Sequence, residues 1–181
     1  LLKRGISHKV IKACVRAGIL YESADYHNAV FVGKDETGTA RYAFLRGTYT
    51  KGKPFKAEVS GSDKRFCFFL PPKGESKKLA VYEAAIETMA HLTLEKTVDK
   101  YRLSLGGISA PKEGETAYSF KKPTALESFL TRYPEIEEIE ICLNNDFAGR
   151  WAAEHIEKAY QDTYHIIKNL PEKEGCDYSD L

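Results

Sequence analysis

Ile139-Glu140-Ile141-Cys142-Leu143-Asn144-Asn145-Asp146-Phe147-Ala148-Gly149 is the stretch on which the fold turns. An apolar run of strand length ends in a cluster of short polar side chains. A small-residue step into a long helical pattern follows, with Trp151, Ala152, Ile156 and Ala159 at helical spacing up to Tyr160. Working backwards, the same grammar recurs. Leu79-Ala80-Val81-Tyr82 is an apolar run closed by Glu83, with a helix expected over Ala84–Leu92 and Ala85, Met89 and Leu92 on its inner face. Between them lie a strand over Tyr101–Leu105 ending in Gly106-Gly107, then a helix over Leu126–Tyr133 introduced by Pro123 and Thr124. Ile136–Leu143 is the next strand, and Tyr164–Ile167 the last. Strands separated by helix-length segments imply βαβ units and a parallel sheet.

The first part of the chain reads differently. Ser7 is the expected N-cap of a helix carrying Val10, Ile11, Cys14 and Val15, stopped at Gly18. Ala29–Val32 and Arg41–Leu45 flank the turn Asp35-Glu36-Thr37-Gly38 and form a hairpin. Lys51-Gly52-Lys53-Pro54 is a loop, Phe66–Leu70 a further strand, and Pro71-Pro72-Lys73-Gly74 the expected boundary between a unit of residues 1–75 and one of residues 76–181. The fold class expected is therefore α/β, a parallel sheet flanked by helices and preceded by a small α+β unit with a β-hairpin.

With 43% apolar and 29% charged residues, the composition is that of an ordinary globular protein. No stretch of about 18 apolar residues occurs, which argues against a membrane partner or span. The start Leu1-Leu2-Lys3-Arg4 lacks Met and an apolar leader, so the chain reads as a segment of a longer protein. Cys14, Cys67, Cys142 and Cys176 are scattered without a CxxC pair, which speaks for reduced thiols, a cytoplasmic location and no zinc site. The five histidines show no metal-ligand spacing, and His91 and His155 are expected to be structural.

The net charge of +1 conceals an asymmetry. Residues 1–75 carry fourteen Lys/Arg against seven Asp/Glu, whereas residues 76–181 carry thirteen against nineteen. A basic half beside an acidic half suits a polyanion-binding lobe next to a metal-binding lobe. Two unrelated solvated surfaces would give the same charges.

Carboxylates at the C-terminal ends of parallel strands converge on one rim, the usual place for a ligand. Hard oxygen ligands there suit Mg²⁺, which keeps several waters and takes only one or two protein carboxylates. Gly149 lets backbone approach a ligand, and the helix N-terminus favours an anion. The order of a strand ending in Glu83, the block Asn144-x-Asp146-x-Ala148-Gly149 and the tail Asp177-Tyr178-Ser179-Asp180 resembles the Toprim domain of primases, topoisomerases and related nucleases. Leu170-Pro171 through Leu181 is similar to the ending of the bacterial primase-like type, with Cys176 and Ser179 replacing a Lys and an Asn. The strand Tyr101–Leu105 with Gly106-Gly107 matches the segment between the acidic motifs.

Upstream, Arg4-Gly5-Ile6-Ser7, Phe31-Val32-Gly33-Lys34-Asp35, Leu45-Arg46-Gly47-Thr48 and Gly61-Ser62-Asp63-Lys64 resemble a small basic domain that precedes Toprim domains in bacterial mobile-element proteins. The resemblance implies a primase-like protein of a plasmid or conjugative transposon that acts on DNA, single-stranded or primer-template, and on nucleotides. It implies Mg²⁺ or Mn²⁺ as cofactor, with Glu83 and Asp146 catalytic and with Glu83, Asn144, Asp146, Asp177 and Asp180 as the metal set. Arg46, Lys64 and Arg65 are the candidates for phosphate contacts, and Gly106, Gly107 and Gly149 shape the loops and helix start. Two departures stand out: Asn144 occupies the position of the family's first aspartate, and Ala148 replaces the third acid of topoisomerase-like members. Three readings stay open: nucleotidyl transfer, nuclease action, and a nucleic-acid-binding module whose metal site has decayed.

Overall fold

The computed structural model describes residues 1–48, 55–111 and 119–181. The loop expected over Lys51–Pro54 lies outside them. The chain opens with α1 (His8–Arg16), where Ser7 Oγ accepts the Val10 N–H at 3.3 Å and caps the helix as its position in the sequence implies. Val10 and Cys14 are buried, while Val15, the last residue of the periodic run, faces solvent. Four antiparallel strands follow in the order β1-β2-β3-β4: β1 (Leu20–Glu22), β2 (Ala29–Lys34), β3 (Ala40–Arg46) and β4 (Lys56–Glu58). The hairpin turn closes through Gly38 N–H to Asp35 C=O at 3.0 Å, and the Asp35 carboxylate accepts the Thr37 and Thr39 amides.

After a 3-10 turn at Lys64–Phe66 come β5 (Phe69–Leu70), β6 (Lys78–Tyr82), α2 (Ala85–Glu95), β7 (Tyr101–Ser104), α3 (Thr124–Arg132), β8 (Glu138–Ile141), α4 (Phe147–Tyr160) and β9 (His165–Lys168). These strands form a second sheet in the order β5-β7-β6-β8-β9, parallel throughout except for β5. The α/β class and its parallel sheet are as expected from the alternating pattern. The expected strand over Phe66–Leu70 is shorter than that, because the Asp63 carboxylate accepts the Arg65 N–H and starts the turn that takes up Phe66. β5 precedes the Pro71–Gly74 segment in sequence yet pairs with β7, so the polypeptide enters the second sheet before that segment.

Strand β6 shows how the core is divided. Leu79 and Val81 face α3 and α4 and join Leu103, Ile139, Ile141, Phe129 and Ile156. Ala80 and Tyr82 face the other way, onto Met89 and Ala90 of α2, and there they meet Phe31, Phe68, Val10 and Cys14 from the N-terminal part. This is the period of two that a sheet buried on both faces requires. Phe31 and Phe68 make an edge-to-face pair, centroids 5.7 Å apart at 88°.

The first sheet also rests, backbone to backbone, on the turn that leads into β5. A Cβ at Gly33 would lie 1.6 Å from the Phe66 carbonyl oxygen and 2.9 Å from the Cys67 carbonyl carbon, so only glycine fits there. Gly33→Ala is expected to destabilise the protein by about 2 kcal/mol or more, the upper part of the range for overpacking a fitted core. Chemical denaturation of the two proteins measures it, and an unchanged midpoint would show that β2 does not rest on this turn.

Candidate functional site

The C-terminal ends of β6, β7 and β8 open on one rim of the second sheet, facing β3 and β4 of the first. A cavity of about 270 Å³ lies there. Glu83, Asn144 and Asp177 contribute to its lining from one side, with Gly106 and Gly107, and Arg46 and Lys56 contribute from the other. Of the residues singled out in the sequence, these two glycines with Glu83, Asn144, Asp177 and Arg46 are therefore brought together. Asp146, Asp180, Lys64, Arg65 and Gly149 do not line this cavity.

Each side chain is held by identifiable neighbours. Glu83 follows β6 directly, and its carboxylate accepts the Asn144 Nδ2–H at 3.0 Å. Gly107 N–H donates to the Glu83 carbonyl at 2.9 Å and fixes the glycine loop against the same strand end. Asn144 thus meets the Glu83 carboxylate with a donor, where an aspartate would give a pair of carboxylates. Asp146 is the N-cap of α4, and its Oδ1 accepts the Gly149 N–H at 2.7 Å. Gly149 is required sterically, because a Cβ there would stand 2.0 Å from the Asn144 carbonyl oxygen.

The tail is delivered from the far end of the chain. Asn145 clamps it by accepting the Gly175 N–H at 2.7 Å and donating from its own amide to the Cys176 carbonyl at 3.0 Å. Tyr178 is buried, with its ring 4.1 Å from His91 and its hydroxyl donating to the Asn169 carbonyl at 2.5 Å. Asp177, between these two anchors, is held in the cavity wall. Asp180 turns back, and its carboxylate accepts the Asp177 N–H at 3.1 Å. The cations are split in role. Lys64 Nζ donates to the Gly106 carbonyl at 2.8 Å, and Arg65 is engaged with Asp63 at 2.6 Å. Arg46 alone of the three faces the cavity.

Electrostatically the acidic wall is under-compensated. Burial pushes the Glu83 carboxyl up from the usual carboxylate range, with Asp146 and Asp177 adding to the rise and Lys56 opposing it. Glu87, one turn further into α2, is almost fully buried and is raised further, by burial first and then by Glu83. Its Oε2 accepts the Ala84 N–H at 3.0 Å. Sequence reasoning passed over Glu87, although a Glu at the third position of a helix is half of a capping box and was legible as such. Lys56 and Asn145 were also missed, the first because β4 is short and the second because its partners lie some thirty residues away.

Among the described residues, no three His, Cys, Asp or Glu side chains converge closely enough to form a ready-made metal cage. The burial that raises Glu83, with the neighbouring charges of Asp146 and Asp177, is nevertheless what a cation would offset, and Mg²⁺ needs only one or two carboxylates. The set fits a largely hydrated ion held by Glu83 with Asp146 or Asp177, and not an all-protein cage.

The raised carboxyls have a sign that can be checked. A group whose folded pKa lies above its unfolded value stabilises the fold below the unfolded pKa, and that stability is lost as pH rises through the folded pKa. Glu87→Gln keeps an oxygen for the Ala84 amide and removes the charge. It is expected to raise the Tm at pH 8 by about 2–4 °C, the shift made by about 1 kcal/mol in a chain of this size, and to leave it unchanged near pH 4. Thermal melts at the two pH values measure this, and a variant equally stabilised at both would rule out a charge effect.

Residues 1–74 match the model of a family described as a protein of unknown function, DUF3991. No curated protein sequence matches the chain. Among solved structures it is similar to the primase fragment of the bacteriophage T7 primase-helicase protein, with TM-score 0.63 and 14% identity over 99% of this chain and 67% of that one. It is similar to the E. coli primase catalytic core, with TM-score 0.57 and 18% identity over 99% and 66%. It is also similar to the DnaG primase catalytic domain bound to ssDNA, with TM-score 0.57 and 17% identity over 100% and 67%. At such identities the likeness is one of architecture. The chain has the fold of the primase catalytic core, and it spans about two thirds of the length of these structures.

Proposed function

We propose that this chain is a Toprim-type, primase-like protein of a mobile element that acts on DNA, with Mg²⁺- or Mn²⁺-dependent nucleotidyl transfer at the cavity between the two sheets. The observation that carries the reading is the polarity of that cavity. Glu83, Glu87 and Asp177 stand on one side and Arg46 and Lys56 on the other, at the strand-end rim of a primase-type fold. Residues 1–75 and 76–181 would be its basic and acidic parts. The mobile-element assignment rests on the motifs of the N-terminal part, and a cytoplasmic setting suits the four free thiols. Among the described residues no helix is long and apolar enough to cross a membrane.

In this reading Arg46 and Lys56 bind phosphate oxygens of a nucleotide or of the DNA strand. Burial lowers the pKa of Arg46, with Arg4 adding to the effect and Asp177 and Glu87 opposing it, so its charge is partly desolvated and an incoming anion gains more from it than from a solvated arginine. Glu83, with its raised carboxyl, is the group able to take or give a proton at the attacking oxygen. Asp177 holds the charge opposite the cations, Asp146 adds its charge from the start of α4, and Asn144 orients Glu83. A bound divalent ion would neutralise charge on the transferring phosphate.

A second reading, a nucleic-acid-binding module without catalysis, is favoured by one observation: the Asn144 amide already satisfies Glu83 where a second carboxylate would share a cation.

Primer synthesis from nucleoside triphosphates on a single-stranded template, with Mg²⁺ or Mn²⁺, separates the two. Under the catalytic reading the chain makes primers, Asp146→Asn abolishes synthesis, and Asn144→Asp raises it severalfold while tightening Mn²⁺ in calorimetric titration. The last variant also lowers the Tm of the metal-free protein, because it places two carboxylates in contact. DNA binding with no synthesis by either the natural chain or Asn144→Asp would establish the binding module.

A further inference from the structure

Beside the main cavity lies a second concavity of about 180 Å³, between the segment around Gly107, the residues that lead into α3, and α4. Gly107 lines both spaces, and Lys64, which donates to the Gly106 carbonyl and lies 3.4 Å from the Glu58 carboxylate, lines the second. The described lining contains Lys64, Lys121 and Lys122 and no carboxylate. Lys121 and Lys122 are exposed, and the Lys122 ammonium is loosely placed, 3.9 Å from Glu127 and 4.8 Å from the Tyr160 ring centroid.

Phe120 also lines this space. It belongs to an aromatic cluster on α4, 5.4 Å from His155 and 5.9 Å from Trp151, which are themselves stacked at 3.8 Å. Phe120 is half-buried, so its ring is backed by the two others and keeps a solvent-facing part.

We propose that this concavity is a subsite for single-stranded nucleic acid. A base leaving the main cavity over Gly107 stacks on Phe120, and Lys64, Lys121 and Lys122 hold the adjoining phosphates. The proposal rests on the reading of the main cavity as acting on nucleic acid, and adds where the strand runs. Sequence-independent single-strand binding combines a cationic groove with aromatic faces, because every base has a π-face and every linkage a charge. Lysine, a mobile point charge, suits phosphates whose positions vary from strand to strand. The small volume admits one unstacked base and excludes a duplex. The subsite also lies within residues 76–181 apart from Lys64, although the excess of positive charge lies in residues 1–75.

Trp151 is the single tryptophan of the chain and provides the signal. Oligothymidylate titrated into the whole chain should quench its fluorescence, and anisotropy at several salt concentrations gives the affinity. Phe120→Leu should weaken binding about tenfold, the loss of one stacked base. Lys121→Ala with Lys122→Ala, both at exposed positions, should reduce the slope of log affinity against log salt by about 1.4, two phosphates at about 0.7 each. Binding and quenching unchanged in both variants, but weakened in Arg46→Ala, would overturn the subsite and leave the proposed function standing. No binding by the natural chain would overturn both.

Discussion

The parallel register of β6 with β7 and β8 is the constraint on which the rest depends. Tyr82 stands opposite Ser104, and Val81 opposite Ile141, so three strands run out together. The ladder continues past the strands: Leu105 N–H donates to Tyr82 C=O at 2.8 Å and Cys142 N–H to Val81 C=O at 2.9 Å. The loops carrying the glycine pair and Asn144 therefore leave the sheet with their backbones already fixed. A slip of one residue would exchange the two faces of β6 and turn both cores inside out. The connection from β6 passes first to β7 on one side, and the chain then returns to β8 on the other. A crevice at the strand ends is the geometric result.

Behind the rim, on the α2 side, lies a polar network that fixes positions more than it adds stability. Arg102 is buried to 1% exposure and pairs with Glu95, while Lys100 bridges Glu95 at 2.9 Å and Glu140 at 2.6 Å. Buried ion pairs of this kind roughly offset their own desolvation, but removing one partner strands the other. Tyr82 Oη and His91 Nδ1 lie 2.6 Å apart, and the His91 ring carries Tyr178. Asn169 links the two groups, binding Glu140 with its side chain and Tyr178 with its carbonyl. The placement of Asp177 in the cavity is thus set by groups that never touch it.

What could be read from the sequence was what depends on short-range pattern. Apolar runs bounded by turn and polar residues located β2, β3, β6, β7 and β8, a capping serine located α1, and the polar residues closing those runs located Glu83 and Asn144. Elements whose reason for existing is a distant partner escaped. β1 and β4 are three residues long and are strands only because β2 and β3 offer them edges. In the Phe66–Leu70 run only Phe69 and Leu70 form a strand, while Phe66 ends the turn packed beside α3, so an apolar composition there imitates a longer strand than the chain makes. Glu87 looks like any helical glutamate until the fold buries it. The aromatic face of Phe120, Trp151 and His155 joins residues some thirty positions apart, beyond the reach of periodicity.

The second core has a further consequence for how the molecule comes apart. Ile6, Val10, Phe31 and Phe68, all within the stretch that matches a family of its own, are covered by Tyr82, Met89 and Ala90 from beyond it. Cutting the chain after residue 74 would leave that apolar face in water, where each large side chain forfeits about 1.5–3 kcal/mol of transfer energy. The antiparallel sheet and the parallel sheet therefore share one core, and the two walls of the cavity are joined through it.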